Sequence, residues 1–363
     1  MLIIRSALLT ISLAVLFLFR ACPACAETAV DTQAEAVVLL CEDGTVLCEK
    51  NADRRCLIAS TTKLMTALVC LEHAGLDETV TAQESHCAVE GSSMYLRPGE
   101  RYTVRELLLG LLLASGNDAA LALAGHTAGS EEAFVRLMNR KAEELGLENT
   151  HFENPHGLDA AAHYGSARDL ARLMLCCMEN PAFRELDSRR TAEAGGLTLL
   201  NHNRLLTSCP GCVGGKTGYT AAAGRCLVSC CERDGLRTVC VTLSDPDDWN
   251  DHMRLYDWAY DRFALHDLSA ELSFEVPAVS GSALTLRVVP EQGARVVLPR
   301  REEARFEAEL PPFVFAPVDR GGQAGVLRGT RADGVPVSFP LVYAEGAALA
   351  EPVYSDETEV AIP

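Results

Sequence analysis

The stretch Ala59-Ser-Thr-Thr-Lys-Leu-Met-Thr-Ala67 decides how the rest of the chain is interpreted. Apolar residues up to Leu71 recur around most of a helical surface, which predicts a buried helix beginning at Ser60. Residues three apart share a helix face, so the amine of Lys63 can approach the Ser60 hydroxyl. A serine becomes a nucleophile when a base takes its proton, and a buried, neutral lysine can do so. Alone, this spacing is more often a helix cap with a solvated lysine.

A second motif, Ser115-Gly-Asn117, follows an apolar helix that the capping box Thr103-Val-Arg-Glu106 opens. The hydroxyl of Ser115 can pass a proton to a leaving amine. The side chain of Asn117 offers both a donor and an acceptor to a substrate amide. Taken alone, the motif is more often a polar turn that ends a helix.

A third motif, Lys216-Thr-Gly218, is preceded by two glycines and followed by Tyr219-Thr220, and it predicts a strand that borders a cleft. Lys216 supplies positive charge and Thr217 a hydroxyl, which together suit a carboxylate. Gly218 lets a substrate backbone lie close to the strand. Alone, the motif is also typical of a glycine-rich turn with a surface lysine.

The three motifs gain weight because they occur together, in this order, each in a suitable predicted element. S-x-x-K, S-D-N and K-T-G mark the penicillin-binding proteins and class A β-lactamases, although Gly116 here replaces the aspartate. The chain resembles the D-alanyl-D-alanine carboxypeptidases, the low-molecular-weight penicillin-binding proteins of serine peptidase family S11. The segments that carry the resemblance are residues 59–67, Ser115-Gly-Asn-Asp-Ala-Ala120, Asn154-Pro-His-Gly-Leu-Asp159, Asn201-His-Asn-Arg-Leu-Leu206 and Gly215-Lys-Thr-Gly-Tyr-Thr220.

The resemblance implies a serine-type carboxypeptidase that removes the terminal D-alanine from peptidoglycan stem pentapeptides. Ser60 would attack the D-Ala-D-Ala peptide bond with Lys63 as base, and water would hydrolyse the resulting acyl-enzyme. Ser115 and Asn117 would lie on the opposite wall of the cleft. No cofactor is implied.

Substrate recognition is also implied by the resemblance. Lys216 and Thr217 would hold the terminal carboxylate, and the backbone N–H groups of Ser60 and Tyr219 would form the oxyanion hole. The implied partners are stem peptides ending in D-Ala-D-Ala and the β-lactam antibiotics that mimic them.

Strands at both ends with helices between predict one mixed α/β (α+β) catalytic domain over residues 27–267. Asp43-Gly44 and Asp234-Gly235 predict two hairpins in it. The resemblance implies a β-lactamase/transpeptidase-like fold, a sheet flanked by helices with a helical subdomain forming one cleft wall. Short alternating runs predict a small β-sandwich or barrel over residues 268–345, followed by an acidic tail at 346–363.

The N-terminus has the pattern of a secretory signal peptide. Arg5 precedes the apolar run Ala7–Phe19, and Ala24-Cys25-Ala26 is a small-x-small cleavage site. The apolar run is short for a membrane span. We therefore expect a signal peptide at 1–26 and an exported mature chain beginning at Glu27, while peripheral contact with the wall or membrane stays open.

Composition excludes some partners. The 50 acidic residues against 32 basic ones give a net charge of −18, which repels nucleic acid backbones. The 15 cysteines show no pair-plus-pair zinc spacing, so we predict no metal site. The spacing of Cys209 and Cys212 would permit a bridge, but such a bridge is easily reduced, and we expect free thiols.

Rival functions remain to be separated. Class A β-lactamases deacylate with a glutamate of an E-x-x-L-N motif, and the nearest match, Glu144-Leu-Gly-Leu-Glu148, lacks the asparagine. A transpeptidase needs the same residues and differs in its acceptor, so it stays open. The intact motifs disfavour a non-catalytic wall-binding relative. His156 invites a catalytic-triad interpretation, but Asn-Pro-His-Gly predicts a rigid turn and Lys63 already supplies a base.

Overall fold

The computed structural model describes residues 31–301 and 305–350, so the predicted signal peptide and most of the predicted acidic tail lie outside the described residues. The helices are α1 (Lys63–His73), α2 (Glu84–Cys87), α3 (Val104–Leu112), α4 (Asn117–Ala128), α5 (Glu131–Glu144), α6 (Ala167–Glu179), α7 (Pro181–Asp187), α8 (Leu205–Ser208), α9 (Asp248–Arg262) and α10 (Leu268–Glu271). The strands are β1 (Ala36–Cys41), β2 (Val46–Lys50), β3 (Thr79–Thr81), β4 (Arg101–Thr103), β5 (Thr191–Ala194), β6 (Leu197–Leu200), β7 (Cys212–Thr220), β8 (Gly224–Arg233), β9 (Leu236–Leu243), β10 (Phe263–Asp267), β11 (Phe274–Val279), β12 (Thr285–Pro290), β13 (Arg295–Pro299), β14 (Glu307–Glu309), β15 (Val314–Phe315), β16 (Gln323–Thr330) and β17 (Pro336–Tyr343).

The central sheet has five antiparallel strands in the order β2-β1-β9-β8-β7. The hairpins predicted at Asp43-Gly44 and Asp234-Gly235 are confirmed as the connections β1–β2 and β8–β9. β7, which carries the Lys216 motif, lies at the edge of the sheet. Among the described residues, one side of this strand therefore has no strand paired to it, and the turn that carries Ser60 packs against β7.

Both faces of the central sheet are covered. Successive side chains of a strand point to opposite faces. Val38 and Leu40 of β1 belong to the apolar cluster that includes α1, while Val37 and Leu39 belong to a second cluster that includes Tyr256 of α9. This double burial explains why β1 is a continuous apolar run instead of an alternating one.

Helix α1 lies at the centre of the molecule. It packs against α3, α4, α5, α6 and α7, and its residues from Lys63 to Cys70 are all buried. The wall opposite β7 is formed by α3 and α4, which pack against each other. The predicted capping box is confirmed, since Thr103 accepts from Glu106 N–H and Glu106 accepts from Thr103 N–H. The predicted fold class, including the helical subdomain, is confirmed.

The C-terminal part consists of strands, as predicted, apart from the short helix α10 at its start. A six-stranded sheet in the order β14-β16-β17-β12-β11-β15 encloses its own apolar cluster. Strand pairing crosses the boundary predicted at residues 267/268, because β10 on the N-terminal side pairs with β13 on the C-terminal side. The turn at Asp43 is also bound from this side, with Val297 N–H donating to Asp43 Oδ2 at 2.9 Å and Arg331 donating to the Asp43 carbonyl at 2.8 Å. Within residues 31–301 and 305–350, none of the helices combines the length and apolar character needed to cross a bilayer.

Candidate active site

A cleft of about 470 Å³ lies between the β7 edge and the α3–α4 connection. Each of the three sequence motifs contributes to its lining. The residues that line it from these motifs are Ser60, Ser115, Thr217, Gly218 and Tyr219. The fold therefore brings together segments that are far apart in the sequence.

Ser60 projects into this cleft from a tight turn. The predicted helix start at Ser60 is wrong by one turn, because residues Ala59–Thr62 form a 3-10 helix and α1 begins at Lys63. Ala59 has φ +46°, a left-handed conformation that non-glycine residues rarely adopt. A side chain at Gly157 would collide with the Ala59 carbonyl, so the glycine permits this close packing. Such local strain persists where the surrounding structure holds it in place.

The amine of Lys63 lies 2.9 Å from Oγ of Ser60. The same amine donates to Asn117 Oδ1 at 2.7 Å and to the His156 carbonyl at 2.6 Å. A neutral amine has two N–H groups and one lone pair. With both N–H groups bound to these two oxygens, the lone pair is left for the hydroxyl proton of Ser60.

The surroundings of Lys63 favour its neutral form. The side chain is fully buried, and this burial lowers its pKa well below the usual 10.5. The nearby Lys216 cation lowers the pKa further, while the Asp118 carboxylate partly opposes both effects. An amine whose pKa is lowered towards the operating pH is a suitable general base.

The second motif forms the facing wall. Ser115 has φ +58°, and the conformation is fixed on its C-terminal side because Gly116 N–H donates to the Gly110 carbonyl. Both ends of the Asn117 amide are engaged, with Oδ1 on Lys63 and Nδ2 donating to the Glu90 carbonyl at 2.6 Å. Asn117 thus positions the proposed base in this structure, and its contact with a substrate amide stays a prediction.

The third motif lies on β7, as predicted. Lys216 is buried beneath the cleft, where its amine donates to the Thr217 carbonyl at 2.9 Å. Burial lowers the pKa of Lys216 to about 8, and the Asp187 carboxylate opposes this shift. A Cβ at Gly218 would lie 3.0 Å from the backbone nitrogen of Ser60, so glycine lets β7 approach the nucleophile.

Several residues of the cleft were not predicted as site residues, although three of them lie in the segment 201–206 that carries the resemblance. They are Ser92, Leu200, Asn201, His202, Arg204, Arg225, Asp248 and Trp249. Arg225 lies opposite Tyr219 in the β7–β8 pairing, and its guanidinium binds Asp248 at 2.6 Å and lies over the Trp249 ring. The β7–β8 register could have indicated Arg225, whereas the others depend on tertiary packing.

His156 and Glu144, which alternative mechanisms would use as catalytic residues, make other contacts in the structure. His156 binds Lys63 through its backbone carbonyl, and burial lowers the pKa of its imidazole to about 3. Glu144 ends α5, where it pairs with Lys141 at 2.8 Å and lines a separate cavity. Across the described part of the chain, no group of three or more His, Cys, Asp or Glu side chains could hold a metal ion.

A cleft that joins S-x-x-K, S-G-N and K-T-G on this fold defines a serine acyl-transfer enzyme of the penicillin-binding class. Residues 24–247 match the family described as D-alanyl-D-alanine carboxypeptidase, peptidase family S11, and the chain belongs to this family. The predicted resemblance and enzyme class, a serine-type D-Ala-D-Ala carboxypeptidase, are thereby confirmed.

Individual relatives agree with this assignment. The chain is 32% identical to the D-alanyl-D-alanine carboxypeptidase DacF of Bacillus subtilis over 314 residues, covering 81% of each chain. It is 32% identical to DacC of Escherichia coli over 339 residues, covering 86% of this chain and 85% of that protein. Penicillin-binding protein 5 from Haemophilus influenzae superposes with a TM-score of 0.74 at 27% identity, covering 88% of this chain and 99% of that structure.

Proposed function

We propose that Ser60 is the nucleophile and Lys63 the general base of a D-Ala-D-Ala carboxypeptidase reaction on peptidoglycan stem pentapeptides. The observation that carries this proposal is the 2.9 Å contact between Lys63 Nζ and Ser60 Oγ inside a buried site. Both the geometry for proton transfer and the lowered pKa of the base are present.

Acylation proceeds in defined steps. Ser60 Oγ attacks the carbonyl carbon of the penultimate D-alanine while its proton passes to Lys63 Nζ. The N–H groups of Ser60 and Tyr219 stabilise the oxyanion of the tetrahedral intermediate. The C–N bond then breaks as Ser115 passes its hydroxyl proton to the leaving amine and regains a proton from Lys63. D-alanine departs, and Lys63 is neutral again. Lys216 and Thr217 hold the terminal carboxylate during these steps, with Gly218 giving the substrate backbone room beside β7.

Deacylation uses the same base. Water attacks the Ser60 ester while its proton passes to Lys63. The bond between the acyl carbon and Ser60 Oγ then breaks, Lys63 returns the proton to Oγ, and the shortened peptide leaves. A β-lactam acylates Ser60 in the same way, but its opened ring stays attached and obstructs this water. Glu144, the nearest sequence match to a deacylating glutamate, pairs with Lys141 at a separate cavity. The penicilloyl-enzyme is therefore expected to be long-lived.

Peptidoglycan substrates require action outside the cytoplasm. Residues 1–26 serve as the signal peptide for export in this proposal. Residues 268–345 would hold the catalytic part at the wall or the membrane surface, without contributing a catalytic residue. The net charge of −18 is consistent with peptide rather than nucleic acid partners.

The test is mass spectrometry of the purified protein with a synthetic pentapeptide stem. Loss of one D-alanine from the D-Ala-D-Ala peptide, with no cleavage of the L-Ala-ended analogue, is the expected result. Equal hydrolysis of both peptides, or of neither, would overturn the proposal. Adding an amino acceptor distinguishes a transpeptidase, which would give a joined product instead of the shortened peptide.

A further inference from the structure

Asp187, the last residue of α7, lies buried beneath the strand that carries Lys216. Its Oδ2 accepts a hydrogen bond from Gly215 N–H at 2.6 Å, one residue before Lys216. Its other carboxylate oxygen, Oδ1, is buried without a hydrogen-bond partner among the described residues. A buried carboxylate with one unsatisfied oxygen is costly, which makes a purely structural role a poor explanation.

The chain at this point is shaped around the carboxylate. A side chain at Gly214 would collide with Asp187 Oδ2. Gly215 has φ +149°, and a Cβ there would meet both the Val228 carbonyl of β8 and Asn203. Two successive glycines therefore allow β7 to lie against Asp187 and β8 at once.

We propose that Asp187 is a positioning residue for the carboxypeptidase reaction, anchoring β7 through Gly215 and placing a buried carboxylate one residue before Lys216 as its counter-charge. This inference rests on the proposed function, in which that cation binds the substrate carboxylate. It assigns a role to a residue outside the three motifs.

The electrostatics of the pair agree with this role. Burial raises the pKa of Asp187 to about 7, although the Gly215 hydrogen bond and Lys216 lower it. The Asp187 anion in turn raises the pKa of Lys216, which burial brings down to about 8. The other titratable groups that interact with one of the two are Lys63 on α1, His202 before α8, Cys177 on α6 and Cys230 on β8. Among the described residues, the charge of Asp187 thus raises the pKa of Lys216 and opposes the effect of burial.

Removal of the Asp187 charge should lower the pKa of Lys216, and this shift can be measured. Asp187→Asn keeps an oxygen that can accept from Gly215 N–H but removes the anion, so the pKa of Lys216 falls. The alkaline limb of the kcat/KM profile on the D-Ala-D-Ala pentapeptide should move to lower pH by about one unit. At pH 8 the variant should lose kcat/KM mainly through a higher KM, because a neutral Lys216 binds the substrate carboxylate more weakly.

Asp169→Asn is the matched control, since Asp169 is also a buried carboxylate that accepts from backbone, at Asn149 N–H, but lies outside the cleft. Its pH profile should match wild type even if its melting temperature falls. An unmoved alkaline limb in a folded Asp187→Asn enzyme overturns the inference and leaves the proposed function standing. Wild-type protein without carboxypeptidase activity overturns the proposed function itself.

Asp187→Ser is the second variant if Asp187→Asn does not fold. It also lacks the anion, so the same shift of the alkaline limb is expected. Failure of both variants to fold would contradict the inference, because it would show that Asp187 is needed for the fold rather than for the charge of Lys216.

Discussion

Gly218 lies against Ser60 so closely that a Cβ at position 218 would be 3.0 Å from the Ser60 backbone nitrogen. This nitrogen is one of the two donors proposed for the oxyanion hole. Gly218→Ala should therefore push β7 away from the nucleophile and slow acylation by about tenfold to a hundredfold. Penicillin acylation rates measured by stopped flow check this, with thermal unfolding as the control for the fold. Unchanged acylation by a folded variant would show that the close approach has no catalytic role.

Lys63→Arg should abolish acylation. The guanidinium keeps the positive charge but stays protonated at any working pH, so it cannot take the Ser60 proton. The measurement is penicillin acylation followed by mass spectrometry. Lys141→Arg on α5 is the control, because Lys141 pairs with Glu72 and Glu144 away from the cleft and should leave the rate unchanged. An active Lys63→Arg enzyme would remove the proposed base.

Lys216→Ala should weaken both binding and turnover of the peptide substrate, because the charge beneath Thr217 is lost. Steady-state kinetics on the pentapeptide should show kcat/KM lowered by about a hundredfold, the range expected for loss of a buried charge partner. Lys50→Ala serves as the control, since Lys50 ends β2 at the surface. Equal loss in both variants would point to general destabilisation instead.

A chain that ends at residue 267 should keep its activity on small soluble peptides, because every proposed catalytic residue precedes that point. It should also be less stable. β10 loses its partner β13, and the cluster around Tyr260 loses Val297. Each kcal/mol lost lowers the melting temperature by about 2–4 °C for a domain of this size. A folded truncation that is inactive on a soluble peptide would contradict the proposed division of labour.

Cys209 lies beside a thiol of strand β8. Cys209 Sγ lies 3.6 Å from Cys231 Sγ, and both residues carry free thiols. The hydrogen bond from Cys231, together with Arg233, lowers the pKa of Cys209 to about 7. Oxidation by a small-molecule disulfide should therefore join Cys209 to Cys231 instead of to Cys212.

Peptide mapping of the oxidised protein checks this thiol pairing. Cys209→Ser combined with Cys212→Ser should leave turnover nearly unchanged with or without reductant, since neither residue lines the cleft. A quantitative Cys209–Cys212 bridge, with activity lost on reduction, would contradict both expectations.

The sequence was informative where local chemistry decides the structure. The Asp-Gly turns and the Thr103 capping box depend on neighbours within a few residues, and both were predicted correctly. The Lys216 motif lies on a strand as expected, whereas the helix expected from Ser60 begins three residues later. The meeting of the motifs in one cleft was expected from the resemblance. The boundary predicted at 267/268 shows the limit of local patterns, because composition changes there while the β10–β13 pairing continues across it.

The residues that could not be predicted act through tertiary contacts. Asp187 belongs to none of the motifs, and its proposed role depends on the packing of α7 against β7, which places the carboxylate on Gly215 N–H. The local sequence of Arg225 is typical of an ordinary strand residue. Its place in the cleft follows from the β7–β8 register, which pairs it with Tyr219. The hydrogen bond from Lys63 to Asn117 likewise depends on how α4 packs against α1.

Mapping of the penicilloyl-enzyme tests the central claim most directly. The protein is incubated with penicillin, digested, and the modified peptide is sequenced by mass spectrometry beside a Ser60→Ala variant. The account predicts one penicilloyl group on the peptide containing Ser60, stable over many minutes, and none on the variant. A penicilloyl group on another residue, or rapid multiple-turnover hydrolysis of penicillin, would contradict it.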